Sequence, residues 1–447
     1  MNQQRHLTLF EYDSVLVEGV GIEGNTLPFS VFSWLKSLCL DESTVVDDRD
    51  DTDIEVGANH FMQLGSVRGR ETIRFSHYVG VLQSPCGFQI EILPKTGRID
   101  GTPAQSRDLV LRMLACLDDM PAIECGSADL AHFNTLLEWL MGRFLKACNT
   151  VLKHGLRSTY VEQEENQTYL KGKLLAAQQL RHNLVQRQRN FVRFDERLTD
   201  RPENRLLRSA LECVASQSQN EFNLKLCREL RFAFNDVPAS CSIKRDIKDI
   251  RLDRGMGYYR EAIDWCKLVL NGVTPFSQLG NDMGISMLFP MHTLFEALVE
   301  KCLRRQLPPQ MSIKSQGAAT SLVTHRQQNW FRLKPDLQLF EQKKLIAILD
   351  TKWKLLDTAK GNGTDKYGLS QADFYQLFAY GHQLLGGNGE LFLIYPKTAS
   401  FQEPIAATFC FSESLRLWVV PFDLERERVI WPAAMTLPLD AVIGNSH

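Results

Sequence analysis

The chain has 447 residues, 44% of them hydrophobic and 23% charged, and a formal net charge of −2, which is ordinary for a soluble globular protein with room for two or three domains. No apolar run reaches membrane-spanning length, and the polar start MNQQRHLTLFEYD does not read as a secretory leader. Eleven scattered cysteines without a Cys-x-x-Cys pair argue against a disulfide framework and against a zinc site, so reduced thiols in a cytoplasm are expected.

Charge is unevenly spread. Residues 1–62 hold 12 acids against 3 basic residues. Within this stretch Asp13–Val17 is strand-like, and residues 41–53 read as an exposed acid-rich loop whose spacing does not match a calcium-binding EF-hand. Ile73–Leu82 and Phe88–Leu93 alternate apolar and polar residues around Ser84-Pro85-Cys86-Gly87, a hairpin signature. Arg107–Leu117 and Leu130–Val151 read as helices, the second with a broad apolar face. From Tyr160 to Leu211 the chain is basic, with 10 Lys and Arg against 4 acids over residues 171–208. The segment His182–Arg193 mixes arginines with Phe191, which suits either a grip on backbone phosphates or structural contacts in a domain-joining segment. Pro202–Val214, Leu224–Phe234 and Gly257–Leu270 follow helical periodicity. In the last of these Tyr258, Ala262, Trp265 and Val269 fall on a core face, and Asn271-Gly272 stops the helix.

Phe289–Leu303 is an amphipathic helix pattern opened by Pro290, with Leu294, Leu298 and Cys302 on its apolar stripe and Glu296 beside it. Next comes a hairpin pattern, Phe331–Phe340 and Leu345–Leu349, ending in Asp350-Thr351-Lys352. Residues two apart on a strand share a face, roughly 6–7 Å apart, so Asp350 and Lys352 project together and Asp336, after Pro335, can face them. Two carboxylates suit a hard cation, Mg2+ or Mn2+, which polarises a phosphodiester, while a lysine orients water or neutralises developing charge. A surface ion pair between Asp350 and Lys352 is the plainer alternative. Residues 301–354 carry 11 Lys and Arg against 3 acids, a field that fits a polyanionic substrate. The Gly-rich stretch Asp357–Gly368 reads as a loop, over bound DNA or merely at the surface. Asp373–Leu385 is helical, with Gln376 and Tyr380 on one face, placed to support the site or touch a DNA backbone. Glu390–Tyr395, Ile405–Cys410 and Leu417–Val420 are short strands. The expected fold is therefore α/β (α+β), with a mixed C-terminal sheet flanked by helices, a β-rich N-terminal domain over residues 1–160, a helical basic connector over 161–285 and the sheet domain over 286–447.

The set Glu296, Pro335-Asp336, Asp350-Thr351-Lys352 and Gln376-x-x-x-Tyr380 resembles the PD-(D/E)XK nuclease superfamily, and its last part resembles the motif of the RecB-like branch. The wider chain resembles the McrC family, the nuclease subunits of McrBC-type restriction systems. The stretches that carry this are Tyr78–Val81, Ile90–Lys95, Leu170–Leu174, Phe194–Glu196, Asn204–Leu207 and Leu294–Glu296, spanning about residues 70 to 400. Where that family usually has Gly-Arg, this chain has Gly172-Lys173. The resemblance implies a Mg2+-dependent endonuclease in which Asp336 and Asp350 bind the cation, the Thr351 carbonyl and Glu296 add to its shell, Lys352 handles the attacking water, and Gln376 and Tyr380 support the site. It also implies DNA as substrate, a McrB-like AAA+ GTPase as partner, and an N-terminal domain that engages it.

No Gly-x-x-x-x-Gly-Lys-Ser/Thr phosphate loop is present in the sequence, so any motor function must come from a partner. Two other functions remain open on the sequence: a non-catalytic adaptor that activates an AAA+ motor, and a standalone RecB-like exonuclease. The adaptor would keep its biological effect without Asp336, and the exonuclease would degrade DNA ends without nucleotide.

Overall fold

The computed structural model describes residues 6–19, 24–42, 61–118, 120–121, 123, 133, 135–271, 287–315, 320–361 and 363–433. The acid-rich stretch from residue 43 onward lies outside them. The chain divides into two compact units, residues 1–131 together with 274–447, and residues 132–273. This grouping differs from the three consecutive segments expected from the sequence. The reason is strand pairing: Met287–Pro290 joins Tyr78–Gln83 in antiparallel register, so both ends of the chain build one body.

The N-terminal part of the first unit holds two four-stranded sheets. One has the order His6–Phe10, Gln89–Leu93, Tyr78–Gln83, Met287–Pro290; the other runs Thr26–Leu27, Ser14–Val17, Arg70–Phe75, Met62–Val67. The hairpin Tyr78–Gln83/Gln89–Leu93 forms as its turn residues predict. The run Ile73–Leu82, however, is two strands in different sheets, separated at Ser76-His77, where His77 takes a left-handed φ of 65°. Phe29–Glu42 is a helix that the acidity of its flank obscured. Its Val31, Phe32, Leu35 and Leu38 follow helical spacing and enter a core with Leu9, Val15, Phe75 and Ile90.

The C-terminal part is a seven-stranded mixed sheet. Met311–Ser315, Leu337–Glu341 and Lys344–Thr351 pair antiparallel; Lys344–Thr351, Gly389–Pro396 and Leu415–Asp423 pair parallel. The middle strands are apolar through most of their length because both faces are covered, with charged residues at or next to their ends. By the two-residue period of a strand, Leu391, Leu393 and Tyr395 share one face and pack with Leu377 and Tyr380 of the helix Gln371–Leu385. Phe422 lies on the opposite face, where its ring meets Phe295 of the helix Met291–Gln306 at 5.8 Å. The fold is thus the expected α/β arrangement of a mixed sheet with flanking helices.

One predicted strand is broken. Phe331–Phe340 splits at Lys334-Pro335-Asp336: Gln328–Leu333 pairs with Thr320–His325 in a separate two-stranded ribbon, and only Leu337–Glu341 joins the large sheet. Proline has no N–H for a ladder and holds its predecessor in extended backbone, which makes this tripeptide the natural change of direction.

The second unit holds a sheet as well as the helices read from its periodicity. Thr159–Gln167, Asn190–Leu198 and Lys173–Leu174 form a three-stranded antiparallel sheet beside the helices Leu136–His154, Pro202–Gln217, Glu221–Ala233 and Arg260–Asn271. Several of its arginines are committed to internal ion pairs: Arg193 with Glu162 and Glu164, and Arg205 with Asp200 and Asp246. Gly172 has φ 72°, and a Cβ there would lie 2.3 Å from the Arg193 carbonyl oxygen. The turn before Lys173 therefore needs glycine.

Candidate active site

The strand Lys344–Thr351 lies inside the large sheet, and its end carries the acids. Leu349 pairs with Leu337, the first residue of the partner strand, so Asp336 is delivered to the end where Asp350 and Thr351 sit. Asp336 Oδ2 accepts from Thr351 N at 2.7 Å and from Thr351 Oγ1 at 2.8 Å. Lys352 Nζ stands 2.7 Å from Asp350 Oδ2, confirming that the two side chains project together. The Lys352 ammonium also donates to Gln376 Oε1 at 3.3 Å, and Gln376 Nε2 donates to the Tyr380 hydroxyl at 2.8 Å. Tyr380 in turn donates to the Lys334 carbonyl at 3.0 Å. One chain of contacts thus runs from Asp350 through Lys352, Gln376 and Tyr380 to the residue before Pro335.

Asp350 is fully buried, and its Oδ1 has no hydrogen-bond partner among the described residues. Burial, then the charge of Asp336, pushes its pKa up, against the opposing pull of Lys352. Asp336 is raised for the same first reason, with Glu296 adding to it. Burial works against the charge on Lys352, but Asp350, Asp336 and Asp373 outweigh it, so the ammonium is held more firmly than usual. The side chain is thus a fixed positive charge between the carboxylates of Asp350 and Asp373.

Glu296 projects from the helix Met291–Gln306 and lines a cavity of about 620 Å³ with Thr293, Ala297, Glu300 and Lys301. It is felt electrostatically by Asp336. Among the described residues, however, no three His, Cys, Asp or Glu side chains gather closely enough to hold a metal ion. Glu296 stands as a charged neighbour of Asp336. The donor set still fits a hard cation: Mg2+ is held by one or two carboxylates while keeping water and phosphate oxygens, and Asp350 Oδ1 is a buried carboxylate oxygen without a donor.

Two groups escaped the sequence reading. Asp373 accepts from Lys354 at 3.2 Å and from the Tyr395 hydroxyl at 3.4 Å, and lies 4.0 Å from Lys352. Its position three residues before Gln376 on one helix was a usable signal. The second is a buried tie to the N-terminus. Trp353 Nε1 donates to Glu11 Oε2 at 2.8 Å, Lys95 N donates to the same oxygen at 3.1 Å, and Lys95 Nζ donates to the Trp353 carbonyl at 2.7 Å. No local pattern links residues so far apart.

A family model described as a McrBC 5-methylcytosine restriction system component matches residues 73–396. The chain belongs to this McrBC family. Two solved structures share its fold. One is described as a refined half-complex from a tetradecameric assembly of Thermococcus gammatolerans McrB AAA+ hexamers with bound McrC. It is 20% identical, covers 95% of this chain and 96% of the matched one, and has a TM-score of 0.68. The other, the cryo-EM structure of the Thermococcus gammatolerans McrBC complex, is 21% identical, covers 68% of this chain and 88% of that one, and has a TM-score of 0.50. No curated protein matches the chain. Among the described residues of this McrBC family member, no disulfide links the cysteines and no helix is long and apolar enough to cross a membrane.

Proposed function

We propose that the chain is the DNA-cleaving subunit of a McrBC-like, nucleoside-triphosphate-driven restriction complex, an endodeoxyribonuclease that works with Mg2+ or Mn2+ and with a McrB-like AAA+ partner. The observation that carries this reading is Asp350, a buried carboxylate with one unpartnered oxygen, set against Asp336 and the Lys352 ammonium in a chain of this family. Asp336 and Asp350 hold the cation, with the Thr351 carbonyl beside them. The cation supplies the positive charge that polarises the scissile phosphodiester. Lys352, fixed by Asp350 and Gln376, orients the attacking water and neutralises charge that develops on the phosphate. Gln376 and Tyr380 hold that lysine in place through the contacts that end on Lys334.

The test is the Asp350→Ala variant, assayed with the motor partner, nucleotide, Mg2+ and DNA. Cleavage should fall to background, while stimulation of the partner's nucleotide hydrolysis persists. Cutting at the parent rate would remove Asp350 from the mechanism. A variant of Asp336 that keeps the biological effect as well as the stimulation would favour the adaptor instead.

A further inference from the structure

The ribbon Thr320–His325/Gln328–Leu333 stands outside the large sheet and buries little of itself: residues 322 to 332 are all exposed. An isolated two-stranded hairpin is only marginally stable in water, yet this one displays Val323 at 47% exposure, Trp330 at 44% and Phe331 at 45%. The rings form a row. His325 and Trp330 are 5.5 Å apart and Trp330 and Phe331 6.2 Å, both edge to face. Phe331 has φ 56°, a backbone that aromatic residues rarely adopt and one that clusters at active sites and ligand clamps. Arg326 and Arg332 flank the row, and no Asp or Glu occurs between residues 315 and 335.

We propose that this hairpin is an arm that grips duplex DNA beside the cut, with Arg326 and Arg332 on phosphates and Trp330 and Phe331 against the groove wall. The inference rests on the nuclease reading above and adds to it the element that holds the substrate. A two-stranded ribbon fits the major groove, and a positive surface free of acids is the complement of a phosphate backbone. The arm is rooted at the site. Leu333 is followed directly by Lys334-Pro335-Asp336; Tyr380 binds the Lys334 carbonyl, and Gln383 donates to the Leu322 carbonyl at 3.2 Å. Six residues of strand reach about 20 Å, so its contacts fall within roughly six base pairs of the scissile bond at about 3.4 Å per pair.

The test uses the full chain, alone and with its motor partner, on a 30-base-pair duplex in chelator across a salt series. Arg326→Ala with Arg332→Ala should weaken binding about tenfold or more and flatten the logarithmic salt slope by about two, one per phosphate contact. Trp330→Ala should weaken binding without changing that slope. Both variants should keep the parent melting temperature and the parent stimulation of the motor. A parent that binds duplex and a double variant that binds as tightly with the same slope would sink the arm alone. A parent that neither binds nor cuts would sink the nuclease reading and the arm with it. If Trp330→Ala lost self-association while keeping DNA affinity, the surface would belong to a second copy and the proposal would be overturned.

Discussion

A carboxylate that is fully buried with one oxygen unpartnered, as Asp350 is, favours its protonated form, and Asp336 beside it reinforces that preference. The pKa values of both acids lie above the usual carboxylate range in the fold. The folded state therefore holds protons that the unfolded chain has released, and stability from these groups is complete below the ordinary value of about 4. It is lost as pH rises through the raised values. Thermal unfolding in chelator should show the parent losing stability over that window, while Asp350→Asn, which cannot ionise, shows a shallower loss; identical slopes would contradict the burial argument. Glu11, also raised by burial, contributes in the same sense to both proteins and so cancels in the comparison. These acids could be placed from sequence because a strand repeats every two residues. That rule brings Asp350 and Lys352 together, and Pro335 marks where Asp336 enters. The register itself could not be read: the pairing shifts between Leu339 and Phe340, an irregularity that alternation of residue types does not reveal.

Among the elements, helices and covered strands were the most legible, since their apolar periods are long and regular. The failures were switches of direction. Ser76-His77 and Lys334-Pro335-Asp336 each cut an apolar run between two sheets, which a count of alternating residues cannot distinguish from one continuous strand. The turn after the strand Leu337–Glu341 is a further case. Gln342 and Lys343 both take left-handed backbone, at φ 46° and 78°, to make a two-residue hairpin without glycine. Element docking was illegible for a different reason, as it depends on distant partners. Trp353 follows the strand Lys344–Thr351 and is seated by Glu11, while its carbonyl is held by Lys95. Replacing it by Phe removes the donor to a buried carboxylate oxygen and should cost about 1–3 kcal/mol in urea unfolding, together with a loss of cleavage. A cost below about 0.5 kcal/mol, the range of ordinary surface changes, would show that the tie does not hold the strand end.

For the whole molecule, the chain returns to its first body after building its second. Residues 132–273 should therefore fold alone as a fragment with cooperative thermal unfolding by circular dichroism, since they form a compact unit with their own core, including the Trp139–Trp265 contact at 6.2 Å. Residues 286–447, which the sequence marks as a separate domain, should not. They lack Tyr78–Gln83, the partner of Met287–Pro290, and the Glu11 and Lys95 groups that seat Trp353. A well-dispersed NMR spectrum from that fragment would refute the claim. The same return has a consequence for synthesis. Glu11 and Trp353 are 342 residues apart, so at ribosomal rates the nascent amino end waits roughly 17–70 s for its counterpart to emerge. A chain released before Trp353 is made leaves Glu11 without that donor, and the residue that follows the strand Lys344–Thr351 is seated only once both have left the ribosome.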